Sequence, residues 1–112
     1  MLIDSESLDS GILKINIAGR MDTQAAEEID MKLAGYVSTH CLVIVDMSAV
    51  SFVASMGIRS LLLSAMAVTR RGGKMVLFNP DANVTHILEI AGIDTVIPIC
   101  RSLDKARAAL SA

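Results

Sequence analysis

The run Cys41–Val45, CLVIV, is apolar at every position, and it constrains the fold of this chain more than any other segment. A strand without a polar face is covered on both sides or paired within a core, so this run predicts a central β-strand. The segment before it, GRMDTQAAEEIDMKLAGYV, has the period of a helix, and so does the apolar run that begins at Ser55. A central strand between helices predicts an α/β domain.

The remaining elements follow from turn signals and the spacing of apolar residues. MLIDSESL and ILKINIA, separated by DSG, predict a hairpin at the edge of the sheet. KMVLF and TVIPI predict two later strands, and Pro98 places the second of them at an edge. Helices are predicted within 19–37, from Ser55 to Gly72, within 79–92 and within 102–110. We expect helix caps at Asp22 or Thr23, Ser55, Asn79 and Ser102.

The order β-β-α-β-α-β-α-β-α implies right-handed crossovers between parallel strands. We therefore expect a single α/β domain over residues 1–112, with a mixed, mostly parallel sheet, an N-terminal hairpin and about four helices. In the helix that begins at Ser55, the residues that follow helical spacing are Ile58, Leu61, Leu62, Ala65 and Thr69.

Composition narrows the class of function. Of the 112 residues, 53% are hydrophobic but only 3% aromatic, which predicts an aliphatic core. The net charge of −2, without a basic stripe or an aromatic platform, argues against a nucleic-acid partner. Cys41 and Cys100 lack metal-site spacing and are interpreted as buried thiols. Without a signal peptide or an apolar run of spanning length, we expect a cytoplasmic protein that does not insert into a membrane.

The loops that follow parallel strands share one edge of a sheet, and that edge is the usual functional one. Three predicted loops meet this condition: Gly19–Asp22, Asp46–Ala54 and the loop that begins at Asn79. The second loop ends at Ser55, which has two interpretations. Ser55 is either a structural N-cap or a phosphorylation site, because a helix N-terminus with Arg59 one turn later can hold a phosphate.

Other chemistry is disfavoured by the predicted topology. A serine nucleophile needs a neighbouring base, but His40 precedes a strand and His86 lies within a helix. The GGK segment lacks the other residues of a phosphate-binding loop. Asp22 and Asp46 have no evident third ligand, so we expect neither a metal nor another cofactor. We interpret Met21, Met56 and Ile58 or Arg59 either as a partner patch around Ser55 or as ordinary core contacts.

The motifs together resemble a STAS-domain protein of the bacterial anti-sigma factor antagonist family, over essentially the whole chain. GRMDTQAAEEI is similar to the family's Gly-x-Leu-Asp segment, and CLVIVDMSAVSFVASMGIRSLL is similar to its strand, acceptor-serine and helix hallmark. RRGGKMVLFNP and ILEIAGIDTVIPI match the later elements. Ala54 stands where the pattern has Asp, and Met56 where it has Ser or Thr.

The resemblance implies a binding protein rather than an enzyme. Its partner would be an anti-sigma factor that is also a serine kinase of the GHKL type, with a PP2C-type phosphatase resetting the switch. The acceptor serine falls on Ser55, and the two aspartates of the pattern fall on Asp22 and Asp46. Together with Met21, Met56, Ile58 and Arg59 of the predicted patch, we expect these residues to form the partner site. The alternative is a scaffold subunit of a transport or stress-sensing complex that is not phosphorylated.

Overall fold

The computed structural model describes residues 2–111, which form one five-stranded sheet covered by helices on both faces. Five strands and four helices alternate in the predicted order. Their bounds are β1 Leu2–Ser7, β2 Ile12–Met21, α1 Ala26–Val37, β3 Leu42–Val53, α2 Ser55–Arg70, β4 Lys74–Phe78, α3 Ala82–Ile90, β5 Ile99–Cys100 and α4 Leu103–Ser111. Short 3-10 turns lie at Asp9–Gly11 and Ile93–Thr95.

The strand order in the sheet is β1-β2-β3-β4-β5. β1 pairs with β2 in antiparallel fashion, and each of the later pairs is parallel. This arrangement confirms the predicted mixed sheet with an N-terminal hairpin, and β5, preceded by Pro98, lies at the edge.

The sheet has an aliphatic cluster on each face, which confirms the prediction made from CLVIV. Val43 and Val45 face the larger cluster, to which α1, α2 and α3 contribute. Ile44 faces the smaller cluster, together with Ala106 and Leu110 of α4. Alternate side chains of a strand point to opposite faces of the sheet. In a strand between two helical layers, every side chain is therefore buried and apolar.

Several predicted local features are wrong. Residues 46–53 were predicted as a loop, but they continue β3 to Val53. Beyond Asp46 this extension pairs only with β2, and two register shifts there show that β3 bulges. A bulge interrupts the alternation of inward and outward side chains, which is why the segment did not resemble a strand.

Other corrections concern caps and burial. The cap of α3 is Asp81, not Asn79, and its carboxylate accepts a hydrogen bond from the Val84 N–H at 2.8 Å. Ser102 caps α4 as predicted, accepting from the Lys105 N–H at 3.1 Å. β5 has only two residues instead of five, and Cys41 is exposed although Cys100 is buried.

The residues that α2 buries differ in part from those whose helical spacing predicted it. Its buried residues are Gly57, Ser60, Leu61, Ser64, Ala65 and Val68. Thr69 is exposed and Leu62 is only half-buried. Since α2 carries apolar side chains on almost every side, its periodicity alone does not identify the face that packs on the sheet.

Candidate functional site

Ser55 is the first residue of α2, directly after the long strand β3. The N-cap is Ala54, whose backbone is extended, with φ −88° and ψ 172°. The Ala54 N–H donates to the Met21 carbonyl at 2.8 Å, and the Ala54 carbonyl accepts from the Ile58 N–H at 3.0 Å. The prediction that Ser55 itself is the N-cap is therefore wrong by one residue.

The first turn of α2 has unsatisfied donors. The methyl side chain of Ala54 makes no capping hydrogen bond. The N–H groups of Ser55, Met56 and Gly57 precede the first bond within the helix and point out of its N-terminus. Ser55 is exposed, and its hydroxyl makes no hydrogen bond to any of residues 2–111. The hydroxyl therefore lies free beside a group of backbone donors and the positive end of the helix dipole.

A close contact fixes the start of α2 on the end of β2. A Cβ added to Gly57 would lie 3.0 Å from both the Cβ and the carbonyl oxygen of Met21, and 3.2 Å from Cγ1 of Val53. Met21 is fully buried. Its side chain therefore belongs to the core that positions Ser55, which removes Met21 from the partner patch predicted from the sequence.

The end of β2 brings Asp22 to the same part of the sheet. Met21 pairs with Val53, so Asp22 and Ala54 follow directly from paired residues. The Asp22 carboxylate accepts from the Ala25 N–H at 3.0 Å, which caps the turn before α1, while Ala25 is the N-cap of the helix itself. Asp22 also lies 3.7 Å from the Arg20 guanidinium.

Sequence reasoning missed one contact near this site. The Arg20 guanidinium lies over the Phe52 ring, 4.5 Å from its centroid. Arg20 pairs with Phe52 only because β3 bulges between Val50 and Phe52. Such a cross-strand contact depends on the register, and no short sequence signal marks it.

Asp46 and Asn79, which were predicted at the same edge of the sheet, lie at a different level along the strands from Ser55. Asp46 pairs with Asn16 on one side and Phe78 on the other, while β3 runs on to Val53 before reaching Ser55. Asn79 follows Phe78, so the third predicted loop begins level with Asp46. The structure brings together the first two loops at Ser55, but not the third.

Asp46 has its own set of partners. It accepts from the Ser48 hydroxyl at 2.6 Å and the Ser48 N–H at 2.9 Å, and it lies 3.2 Å from Lys14 Nζ. Burial raises the pKa of Asp46. The hydrogen bonds from Ser48 and the charge of Lys14 together outweigh burial, so the pKa lies below its ordinary value. An ionised Asp46 therefore holds the bulge of β3 against β2.

The exposed surface next to Ser55 is made of Met56 and Arg59, with Ile58 half-buried between them. Met56 is 37% exposed although it is a large apolar side chain. Arg59 lies one helical turn after Ser55, on the same side of α2. The geometry keeps Asp22, Met56, Ile58 and Arg59 available around Ser55.

The two histidines lie away from Ser55. The His40 ring contacts Thr39 and the Tyr36 carbonyl before β3, at the opposite end of that strand from Ser55. His86 is exposed on α3. Within residues 2–111, no three His, Cys, Asp or Glu side chains gather in a way that could hold a metal ion. No helix in the described part of the chain has the length and apolarity needed to cross a membrane.

Known proteins are similar to this chain over nearly its whole length. The model of the STAS domain family matches residues 7–106. BtrV of Bordetella bronchiseptica, which is provisionally named an anti-sigma factor antagonist, is 27% identical over 97% of this chain and 94% of its own length.

Two solved structures have the same fold. An anti-sigma factor antagonist from Mycobacterium paratuberculosis superposes with a TM-score of 0.88 at 20% identity, covering 99% of this chain and 94% of that one. The phosphorylated form of SpoIIAA, a Bacillus cell fate determinant, superposes with a TM-score of 0.71 at 17% identity, covering 96% and 99%. At these identities the likeness establishes the fold.

Proposed function

The chain belongs to the STAS domain family, and from that membership we propose that it is an anti-sigma factor antagonist. In this proposal it binds an anti-sigma factor that is also a serine kinase of the GHKL type. Phosphorylation of Ser55 releases the complex, and a PP2C-type phosphatase resets the switch. The observation that carries the proposal is the exposed Ser55 hydroxyl beside the free N–H groups of the first turn of α2.

The physics of this position suits a phosphate. A phosphoserine adds a charge of about −1.5 to −2 and three acceptor oxygens. The free N–H groups and the helix dipole stabilise an anion there. Arg59, four residues later on the same side of the helix, adds a cation within reach of the first turn. The modified protein therefore keeps its fold while its surface charge reverses locally.

Release of the partner follows from the same charge. Met56 and Ile58 next to Ser55 give the patch an apolar centre, with Asp22 and Arg59 at its border. A dianion at Ser55 would have to lose its hydration when a partner covers that centre, and this cost opposes binding. Asp46 is proposed to act on the partner through the β3 bulge that it holds, because its own carboxylate is engaged by Ser48 and Lys14.

Ala54, which stands where the family pattern has Asp, affects the same free N–H groups of the first turn of α2. An Asp at the N-cap, as in the family pattern, would direct its carboxylate at the N–H groups of the first turn. Such a carboxylate competes with a phosphate for those donors and repels it. Ala54 leaves the donors free, which favours a phosphate bound at the helix start.

The proposal is tested with a GHKL-type anti-sigma factor kinase that binds this chain. Incubation with that kinase and ATP is expected to add the mass of one phosphate, as measured by intact mass spectrometry. Ser55→Ala is expected to abolish the addition, while Ser51→Ala, which changes another exposed serine four residues earlier, retains it. Ser55→Asp is expected to weaken kinase binding at least tenfold. Absence of phosphate on the wild-type chain with a kinase active on another substrate would refute the switch.

A further inference from the structure

The outer face of α2 carries an exposed row of apolar and basic side chains. Met56, Leu63 and Met66 are 37%, 45% and 40% exposed, and Arg59 and Arg70 are exposed between and after them. The five residues are spaced alternately by three and four, and at about 100° per residue they lie within an arc of roughly 80°. We call this row the α2 stripe: Met56, Arg59, Leu63, Met66 and Arg70.

The charge of the α2 stripe is uncompensated. α2 contains no Asp or Glu, although the chain as a whole has a net charge of −2. Neither Arg59 nor Arg70 lies within ion-pair distance of a carboxylate of residues 2–111. Because Arg59 and Arg70 lie between the apolar side chains of the ridge, it matches an apolar surface with acidic side chains opposite the two arginines.

Both sides of the α2 stripe have hollows that can receive side chains. Between α1 and α2 lies an open cavity of about 400 Å³, with Ala34, Val37, Leu63 and Ala67 in its lining. Ser64, which is only 6% exposed, also lines it. On the other side, Met66 and Val96 line a second hollow of about 300 Å³.

We propose that the α2 stripe docks an amphipathic helix of the partner protein, with apolar side chains seated in the two hollows and acidic side chains on Arg59 and Arg70. The spacing of three and four is that of a helix-pairing seam, in which side chains of one helix enter gaps on the other. This inference rests on the proposed function, since it names the chemistry of the partner and extends the contact beyond Ser55 along the whole of α2.

Arg59 and Arg70 favour an acidic partner helix over a second copy of the chain as the molecule that binds the α2 stripe. Pairing of two copies through α2 would bring two arginines from each copy into one interface, and α2 supplies no carboxylate to neutralise them. Like charges in a buried interface cost binding energy. A partner helix with Glu or Asp opposite Arg59 and Arg70 removes that cost.

The same geometry makes partner binding at the α2 stripe depend on the phosphorylation of Ser55. Ser55 and Arg59 are four residues apart, so a phosphate on Ser55 competes with an acidic side chain of the partner for the Arg59 guanidinium. Phosphorylation thus neutralises one of the two basic positions of the α2 stripe, in addition to placing charge beside Met56.

The docking is tested by titrating helical peptides into the isotope-labelled protein and following backbone amide shifts by NMR. The probe has about 15 residues, the length of the stripe, with Leu facing Met56, Leu63 and Met66 and Glu facing Arg59 and Arg70. A second peptide has Lys in place of every Glu. We expect the acidic peptide to shift α2 amides and to bind at least tenfold more tightly than the basic one.

Variants locate the site. Leu63→Glu combined with Met66→Glu is expected to abolish binding of the acidic peptide, with the thermal unfolding curve checked because both side chains are partly exposed. Leu2→Glu, which makes the same change at a 73% exposed position on β1, is expected to bind as the wild type does. Equal binding of the two peptides, shifts outside α2, no binding at millimolar peptide, or a dimer that Leu63→Glu dissociates would each overturn the proposal.

The kinase experiment separates this inference from the proposed function. If the kinase binds the wild type and loses affinity for Ser55→Asp but not for the Leu63→Glu, Met66→Glu variant, the switch stands and the α2 docking is wrong. If Ser55 is never phosphorylated but the acidic peptide binds α2 as described, the docking stands and the switch is wrong.

Discussion

The N-cap of α2 offers a direct measurement of the free donors beside Ser55. Ala54 already has the extended backbone of an N-cap, with φ −88° and ψ 172°, but its side chain has no acceptor. In Ala54→Ser and Ala54→Asp, the new side-chain oxygen accepts from the N–H of Met56 or Gly57, and such a cap is worth about 1 kcal/mol. The negative charge of the aspartate variant adds about 0.3–1 kcal/mol through the helix dipole.

We therefore expect Ala54→Ser to raise the free energy of unfolding by about 1 kcal/mol and Ala54→Asp by about 1–2 kcal/mol. The measurement is urea denaturation at neutral pH, with an unchanged slope showing that the unfolded state is unaffected. The additional gain of Ala54→Asp requires an ionised carboxylate, so it declines as the pH falls below about 4. The gain of Ala54→Ser is independent of pH in that range.

The matched control is the N-cap of α3. The Asp81 carboxylate accepts from the Val84 N–H at 2.8 Å, so Asp81→Ala removes what Ala54→Asp supplies. We expect it to lower stability by about 1 kcal/mol. If Asp81→Ala has this effect while neither Ala54 variant gains stability, the donors of α2 are not free, and the argument for a phosphate at Ser55 loses its physical basis.

Two further substitutions test how β3 is held. Asp46→Asn removes the charge that pairs with Lys14 at 3.2 Å and is expected to cost about 2 kcal/mol at pH 7. Because the pKa of Asp46 is lowered on folding, this stabilisation is present above its unfolded pKa, about 4, and disappears as the pH falls further. Urea midpoints from pH 7 to pH 3 measure it, and a pH-independent difference would contradict the role of the ion pair. Gly73→Ala drives a Cβ into the Cys41 carbonyl oxygen, well inside van der Waals contact, so we expect a loss of about 1–3 kcal/mol. Gly35→Ala, with no atom within 4 Å of the new Cβ, is the control and is expected to gain about 0.5–1 kcal/mol in thermal or urea unfolding. Equal effects of the two alanines would refute the close approach.

The order of elements could be predicted because each one depends on a local pattern. CLVIV, without a polar position, required cover on both faces, and the structure places α2 on one side and α4 on the other. Ser102 was recognised as a cap for the same reason, since capping involves only neighbouring residues. The family pattern around Ser55 is equally local, and it was legible without any knowledge of packing.

Features that depend on strand register could not be read from the sequence. The last residues of β3 do not have the sequence pattern of a strand. The reason is that β3 bulges, and the alternation of side chains is lost where an extra residue is inserted. The same register pairs Arg20 with Phe52 and separates Asp46 from Ser55 along β3. The two aspartates, similar in the sequence, therefore have different positions relative to the serine.

The sequence by itself determined the layered α/β architecture and singled out Ser55, since apolar spacing and a local motif carry that information. Only the tertiary structure decided that Met21 is buried, that Ala54 rather than Ser55 is the N-cap, and which face of α2 remains exposed. The physical reason is that α2 is apolar on nearly every side, so its own pattern permits several orientations. Packing of Gly57 on Met21 selects one of them, and that choice turns the α2 stripe toward solvent.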